Sequence, residues 1–171
     1  VLTIMHNNGQ GNIGYTGDIS GAGGILHLGT RQDTQTYLSG TNTYEGATTL
    51  GTNATLRIAN RVSLYNGDTA KWTADNLIVQ TGATLIFNVG GGTEFTSADI
   101  GILTALGTTI GGFADGTYIG LDTTNGSFAH AGAIADPNGG TSKLGIKKYG
   151  GNTLTLSGTS SYTGDTDIWA G

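Results

Sequence analysis

"LSGTNTYEGATTL" (Leu38–Leu50) and "LSGTSSYTGDTDI" (Leu156–Ile168) are two copies of one pattern. Leu, Ser, Gly, Thr, Tyr, Gly and Thr recur at the same places, and Leu50 answers to Ile168. Each copy reads as strand, corner, strand. The glycines are expected at tight corners with positive φ, and the tyrosine is expected to pack over the turn. The upstream stretches also correspond: "YTGDISGAGGILHLG" (Tyr15–Gly29) precedes the first copy and "FAHAGAIADPNGGTSKLGIKKYGG" (Phe128–Gly151) the second. A recurring supersecondary unit buries its apolar side by stacking on its neighbours.

Working outward, strand candidates arrive at short intervals: "GILHL", "TQTYL", "ATTL", "ATLRI", "VSLY", "NLIVQ", "ATLIFNV", "TYIGL", "LGIKK", "TLTL" and "TDIW". Many alternate apolar residues with Thr, Ser or Asn, the period of a strand with one buried face. Short strands between Gly and Asn corners fit a sandwich, a barrel or a solenoid, and the repeated copies favour the solenoid. Rungs of roughly 20 residues give on the order of eight rungs, and stacking at about 4.8 Å gives a rod of roughly 40 Å. In "LHL", His27 is expected to face outward, opposite Leu26 and Leu28. One segment breaks the rhythm. "EFTSADIGILTALG" (Glu94–Gly107) predicts a short helix over 96–106, with Thr96 as N-cap, Asp99 completing a capping box, Phe95 and Ile100 as a hydrophobic staple, and Gly107 as the stop.

Composition excludes several classes. The chain has 171 residues with 32 Gly, 1 Pro and 11% charged residues, so it is neither collagen-like nor of disordered type. Cysteine is absent, which removes disulfides, thiolate catalysis and Cys-based zinc sites. Seven Lys+Arg in a chain of net charge -5 argue against nucleic acid as a partner. No apolar run reaches membrane-spanning length, so no membrane span is expected.

The residues "GDISGAGGILHLG", "LSGTNTYEGATTLGTNATL" and "GNTLTLSGTSSYTGDTDIWAG" resemble the autotransporter-associated β-strand repeat of large exported bacterial surface proteins. The middle, "TGATLIFNVGGGTEFTSADIGILTALG", looks like the spacers between such repeats. The resemblance implies a right-handed parallel β-helix (β-solenoid), export, and an extracellular or cell-surface role. On this reading residues 1–171 are one solenoid unit with copies at about 12–58 and 128–171 and a spacer at about 59–127.

Candidate chemistry is sparse. Asp18, Asp165 and Asp167 form a potential carboxylate cluster, and parallel β-helices do host polysaccharide lyases and hydrolases. The first repeat carries Ala47 and Thr49 where the second has Asp165 and Asp167, so the fold does not need those carboxylates. His6, His27 and His130 have no metal-ligand spacing, "GGG" at Gly90–Gly92 is not iterated with Asp, and no cofactor is expected. Trp72, Trp169 and the seven tyrosines are candidates for stacking on sugars or for packing over turns.

The ends carry the functional expectation. "TDIWAG" stops in mid-pattern, and "VLTI" has the form of what should follow. Neither end offers a capping helix or a charged edge. The expected function is a non-enzymatic structural unit that stacks head-to-tail or in tandem on copies of itself. The assembly interface is placed at Val1, Leu2, Thr3, Ile4, Asp167, Ile168, Trp169 and Ala170. The alternatives are a passenger adhesin binding glycans or a host surface and, less favoured, a polysaccharide-processing enzyme.

Overall fold

The computed structural model describes residues 1–6, 11–29 and 35–171, with the side chain of His6 outside that description. The strands are β1 (Leu2–His6), β2 (Ile13–Tyr15), β3 (Ile25–Gly29), β4 (Thr36–Leu38), β5 (Thr48–Leu50), β6 (Thr55–Ile58) and β7 (Leu77–Val79). They continue with β8 (Thr84–Asn88), β9 (Gly112–Phe113), β10 (Thr117–Asp122), β11 (Phe128–His130), β12 (Leu144–Tyr149), β13 (Leu154–Leu156) and β14 (Thr166–Ile168). The helix α1 (Ser97–Thr104) interrupts them, as does a single helical turn at Pro137–Gly140 in which Asn138 and Gly139 are left-handed. Thr34, the first residue of the expected strand "TQTYL", lies outside the described residues.

The strands form three parallel sheets. A five-stranded sheet runs β1-β3-β5-β7-β9, a seven-stranded sheet β14-β12-β10-β8-β6-β4-β2, and a two-stranded sheet pairs β11 with β13. Up to β10 the chain alternates between the two larger sheets, so each strand pairs with the next but one. Thr36 pairs with Leu56, twenty residues on, whereas Ile78 pairs with Gly112, thirty-four on. The wider spacing accommodates α1, and the three short 3₁₀ turns between Arg61 and Lys71 lie in the gap before it, where Thr49 pairs with Ile78.

Period two sets which residues enter the core. In the seven-stranded sheet one inward column runs Ile13, Thr36, Leu56, Leu85, Ile119, Ile146, Thr166. The neighbouring column runs Tyr15, Leu38, Ile58, Phe87, Leu121, Lys148, Ile168. Leu38, Leu56, Ile58, Leu85, Phe87, Ile119 and Leu121 are fully buried, each contributing about 1.5–3 kcal/mol of transfer free energy.

The two sequence copies are locked to the preceding strands and their exits by the same bonds. Ser39 N–H donates to Tyr15 O and Ser157 N–H to His130 O, each at 3.0 Å. Thr43 N–H donates to Ile19 O and Ser161 N–H to Ile134 O, each at 2.8 Å. The side chains of Asn42 and Ser160 then accept from Ile19 N–H and Ile134 N–H. The tyrosine does pack over the turn: Tyr44 Oη lies 2.7 Å from Thr48 Oγ1, and Tyr162 Oη lies 2.8 Å from Thr166 Oγ1.

Three expectations need correction. The repeat glycines Gly40, Gly46, Gly158 and Gly164 do not have positive φ. They are required because neighbouring backbone segments touch there: a Cβ on Gly46 would sit 2.5 Å from Gly24 N, and one on Gly164 2.5 Å from Gly145 N. "VSLY" is not a strand. Tyr65 and Asn66 turn into the left-handed region (φ 51° and 53°), which takes the Tyr65 hydroxyl inside to Thr48, Gly46 O and Asn76 O. His27 faces inward and is buried, because Ile25 and the Ile4–His27–Leu50–Val79 register fix the phase of β3. Its Nε2 lies 3.1 Å from Thr55 O, and Leu28 is the exposed residue.

The helix forms where the capping box predicts it. Thr96 Oγ1 accepts from Asp99 N–H, and Asp99 Oδ2 accepts from Thr96 N–H. Its stop is earlier than Gly107: Ala105 is the C-cap, and Ala105 N–H and Leu106 N–H bond back to Ile102 O and Leu103 O in a tightened last turn. Gly107 matters for packing instead, since a Cβ there would sit 2.5 Å from Pro137 Cβ.

Candidate assembly site at the open sheet edges

The expected interface residues fall at opposite ends of the sheets. Val1–Ile4 belong to β1 and its approach, and β1 is one edge of the five-stranded sheet. Asp167–Ala170 belong to β14 and its exit, and β14 is one edge of the seven-stranded sheet. The structure therefore does not bring the two groups together within one chain. At the first edge Val1 is 85% exposed, Leu2 is half-exposed and Ile4 is buried under β3. At the second, Ile168 is 70% and Trp169 50% exposed, although Ile168 stands in the inward column after Leu121 and Lys148.

The end that carries β14 is an open bowl. Ile146, Leu154, Leu156 and Ile168 line a depression of about 490 Å³. Lys148, which occupies an inward position, turns its ammonium to the rim and donates to Gly150 O and Ala170 O. This places a cation where the apolar column ends, with carbonyl partners that offset its desolvation.

The outer face of the seven-stranded sheet was not anticipated from the sequence. Its side chains lie along the sheet across several rungs. Arg57 pairs with Asp122, two strands away, and its guanidinium lies 4.9 Å from the Tyr37 ring centre and 5.8 Å from that of Tyr149. Tyr149 stacks on Trp169 with ring centres 5.9 Å apart. Lys147 Nζ sits 4.1 Å from the Tyr118 ring centre, 5.7 Å from that of Trp169 and 4.0 Å from Asp167 Oδ2. Burial pulls the Lys147 ammonium below its usual pKa, with Asp167 opposing the shift. Burial likewise pushes Tyr149 up to about 12, and Arg57 only partly offsets it. The glycines under this layer have a visible use: a Cβ on Gly120 would sit 2.6 Å from Ile86 Cγ1, and one on Gly145 would enter the Tyr118 ring. The available signal was the alternation of large residues and glycine in one column, legible only once the register is known.

The carboxylates do not form a catalytic cluster. Asp165 precedes β14 and Asp167 lies within it at one edge of the sheet, whereas Asp18 follows β2 at the other edge and accepts from Thr41 N–H at 2.7 Å. Among the described residues, no three His, Cys, Asp or Glu side chains are grouped to hold a metal ion. His130, buried on β11, meets Ser97 Oγ through Nδ1 at 2.9 Å and pins the start of α1. Its other nitrogen faces Gly132, where a Cβ would sit 2.8 Å away. No described helix is long and apolar enough to cross a membrane. No protein-family model matches the chain, and neither curated proteins nor solved structures contain a match.

Proposed function

We propose that the chain is a right-handed parallel β-helix serving as a non-enzymatic structural unit of an extracellular or cell-surface bacterial fibre, stacking on copies of itself through its end rungs. The alternation of strands between parallel sheets supports the coil, since a parallel pair needs a crossover and crossovers are right-handed almost without exception. The resemblance to exported repeat proteins supports the location. The observation that carries the stacking is the pair of open edges. Among the described residues, β14 at one end and β1 and β2 at the other have no strand beyond them, and Ile168, Trp169, Val1 and Leu2 are exposed there. Unpaired parallel edges with apolar residues beside them are templates for another chain.

Sedimentation of purified protein over a wide concentration range, with negative-stain imaging, tests this reading. Seven strands of the long sheet at about 4.8 Å predict filaments with an axial repeat of roughly 34 Å. Monomers at every concentration would overturn it. A second reading, a glycan-binding passenger, is favoured by one observation: Trp169, half exposed, lies beside Lys147 and Tyr149 on the outer face. Binding on a glycan array that is lost in Trp169→Ala would support that reading, and no binding at all would reject it.

A further inference from the structure

Building on the self-stacking reading, we propose that the junction is a parallel pair between β14 of one copy and β2 of the next, with Thr166 opposite Ile13, Asp167 opposite Gly14 and Ile168 opposite Tyr15. The expectation from sequence placed Val1–Ile4 at this junction instead. Those residues belong to the five-stranded sheet, whose other edge is β9 rather than β14. The seven-stranded sheet, to which β14 belongs, has both of its edges in short strands of equal length, β2 and β14, three residues each.

Backbone polarity fits this pairing. Ile146 N–H donates to Asp165 O and Trp169 N–H to Lys148 O, so Asp165, Asp167 and Trp169 turn their backbone groups toward β12. Alternation leaves Thr166 and Ile168 facing the open side. At the other edge, Ile13 N–H donates to Gln35 O and Tyr15 O accepts from Ser39 N–H, which leaves Gly14 facing the open side. In the proposed register Gly14 N–H reaches Thr166 O, and Ile168 N–H reaches Gly14 O. That is the bonding phase of β2 on β4 and of β12 on β14.

Side chains fit as well. Both inward columns continue: Thr166 is followed by Ile13, and Ile168 by Tyr15, so two half-buried residues roof the bowl of Ile146, Leu154, Leu156 and Ile168. On the outer face Gly14 falls beside Asp167 and Thr16 beside Trp169. Within the chain the same rule holds, with Gly120 following Ile86 and Gly145 following Tyr118 on the next strand. Small residues receive the long side chains of the previous rung.

The absence of cysteine gives a clean test. A Cβ on Gly14 meets nothing within 4 Å, so Gly14→Cys is compatible with the fold. The double variant Gly14→Cys, Asp167→Cys cannot close on itself, because the two strands are six strand spacings of about 4.8 Å apart, beyond the ~7 Å Cα limit of a disulfide. Oxidation is expected to give a ladder of covalent multimers on a non-reducing gel. Separately, Gly14→Asp sets a carboxylate opposite Asp167 and is expected to abolish assembly, while adding Asp167→Lys restores it. A ladder with that charge rescue supports the pairing. Assembly without a 14–167 ladder, with Thr3→Cys, Ala170→Cys cross-linking instead, overturns this pairing and leaves self-stacking intact. Protein that stays monomeric at every concentration overturns both.

Discussion

Gly46→Ala isolates what the repeat glycines do. The new Cβ would lie 2.5 Å from Gly24 N, 2.7 Å from Gly23 C and 2.9 Å from Gly24 Cα, all backbone atoms that no rotamer change can move. Restoring contacts of about 3.4 Å requires opening the rungs by roughly 0.9 Å at this point. Three hydrogen bonds cross it: Glu45 N–H to Gly21 O at 2.9 Å, Gly46 N–H to Gly23 O at 3.1 Å and Ile25 N–H to Ala47 O at 2.8 Å. Stretched by that much, two or three of them leave bonding range, at about 0.5–1.5 kcal/mol each, and the remaining strain adds about 1 kcal/mol. The expected loss is about 2–4 kcal/mol. Gly92→Ala is the matched control, since its Cβ meets nothing within 4 Å and its φ is not positive. It should be neutral or stabilising by up to ~1 kcal/mol through the unfolded chain. Urea unfolding followed by circular dichroism reads both. Equal midpoints for Gly46→Ala and wild type, with unchanged slope, would refute the view that rung contact selects this glycine.

Other perturbations separate buried from exposed members of the same motif. Tyr65→Phe strips the shared partner from Thr48 N–H, Gly46 O and Asn76 O and should cost about 2–3 kcal/mol in the same urea assay. Tyr162→Phe, at the exposed end rung, should cost under about 1 kcal/mol. Arg57→Ala leaves Asp122, 1% exposed, without its cation and should cost about 3–5 kcal/mol, part of which Asp122→Asn recovers in the double variant. Tyr149, pushed up to about 12 by burial, contributes stability that is fully present below the ordinary tyrosine value near 10 and is lost as pH rises through about 12. An alkaline titration at 295 nm with parallel circular dichroism should show its ionisation coinciding with unfolding in that window, and Tyr149→Phe should shift the unfolding upward in pH.

The strands with clean alternation were legible because each needs only local information: "ATLRI", "ATLIFNV", "TYIGL" and "LGIKK" all fall on observed strands. The capping box at Thr96 and Asp99 was legible for the same reason. What failed depended on partners. "VSLY" has a strand-like composition, but the Tyr65 hydroxyl finds four groups in the interior and takes the backbone into a left-handed turn. His27 reads as outward beside two leucines, yet its phase is set by Ile4 and Leu50 on neighbouring strands. Strand β2, only Ile13–Tyr15, is too short to show a period.

The candidate interface shows the same limit at a higher level. The first copy places its strands on the seven- and five-stranded sheets, β4 then β5. The second places them on the two- and seven-stranded sheets, β13 then β14. The motif therefore specifies a strand, a corner and a strand with their rung-to-rung bonds, and it carries no information about which sheet they join. Aligning the copies end to end matches Val1–Ile4 with the strand after Ile168, whereas the sheet to which β14 belongs offers β2 as its counterpart. The shift arises because the five-stranded sheet ends at β9. From there the chain forms the two-stranded sheet after each pass through β10 and β12, with His130 and Leu156 carrying the register between β11 and β13. A stacking partner must satisfy the sheet it meets, not the motif it extends, and for this reason the proposed junction takes β2 rather than β1 as the counterpart of β14.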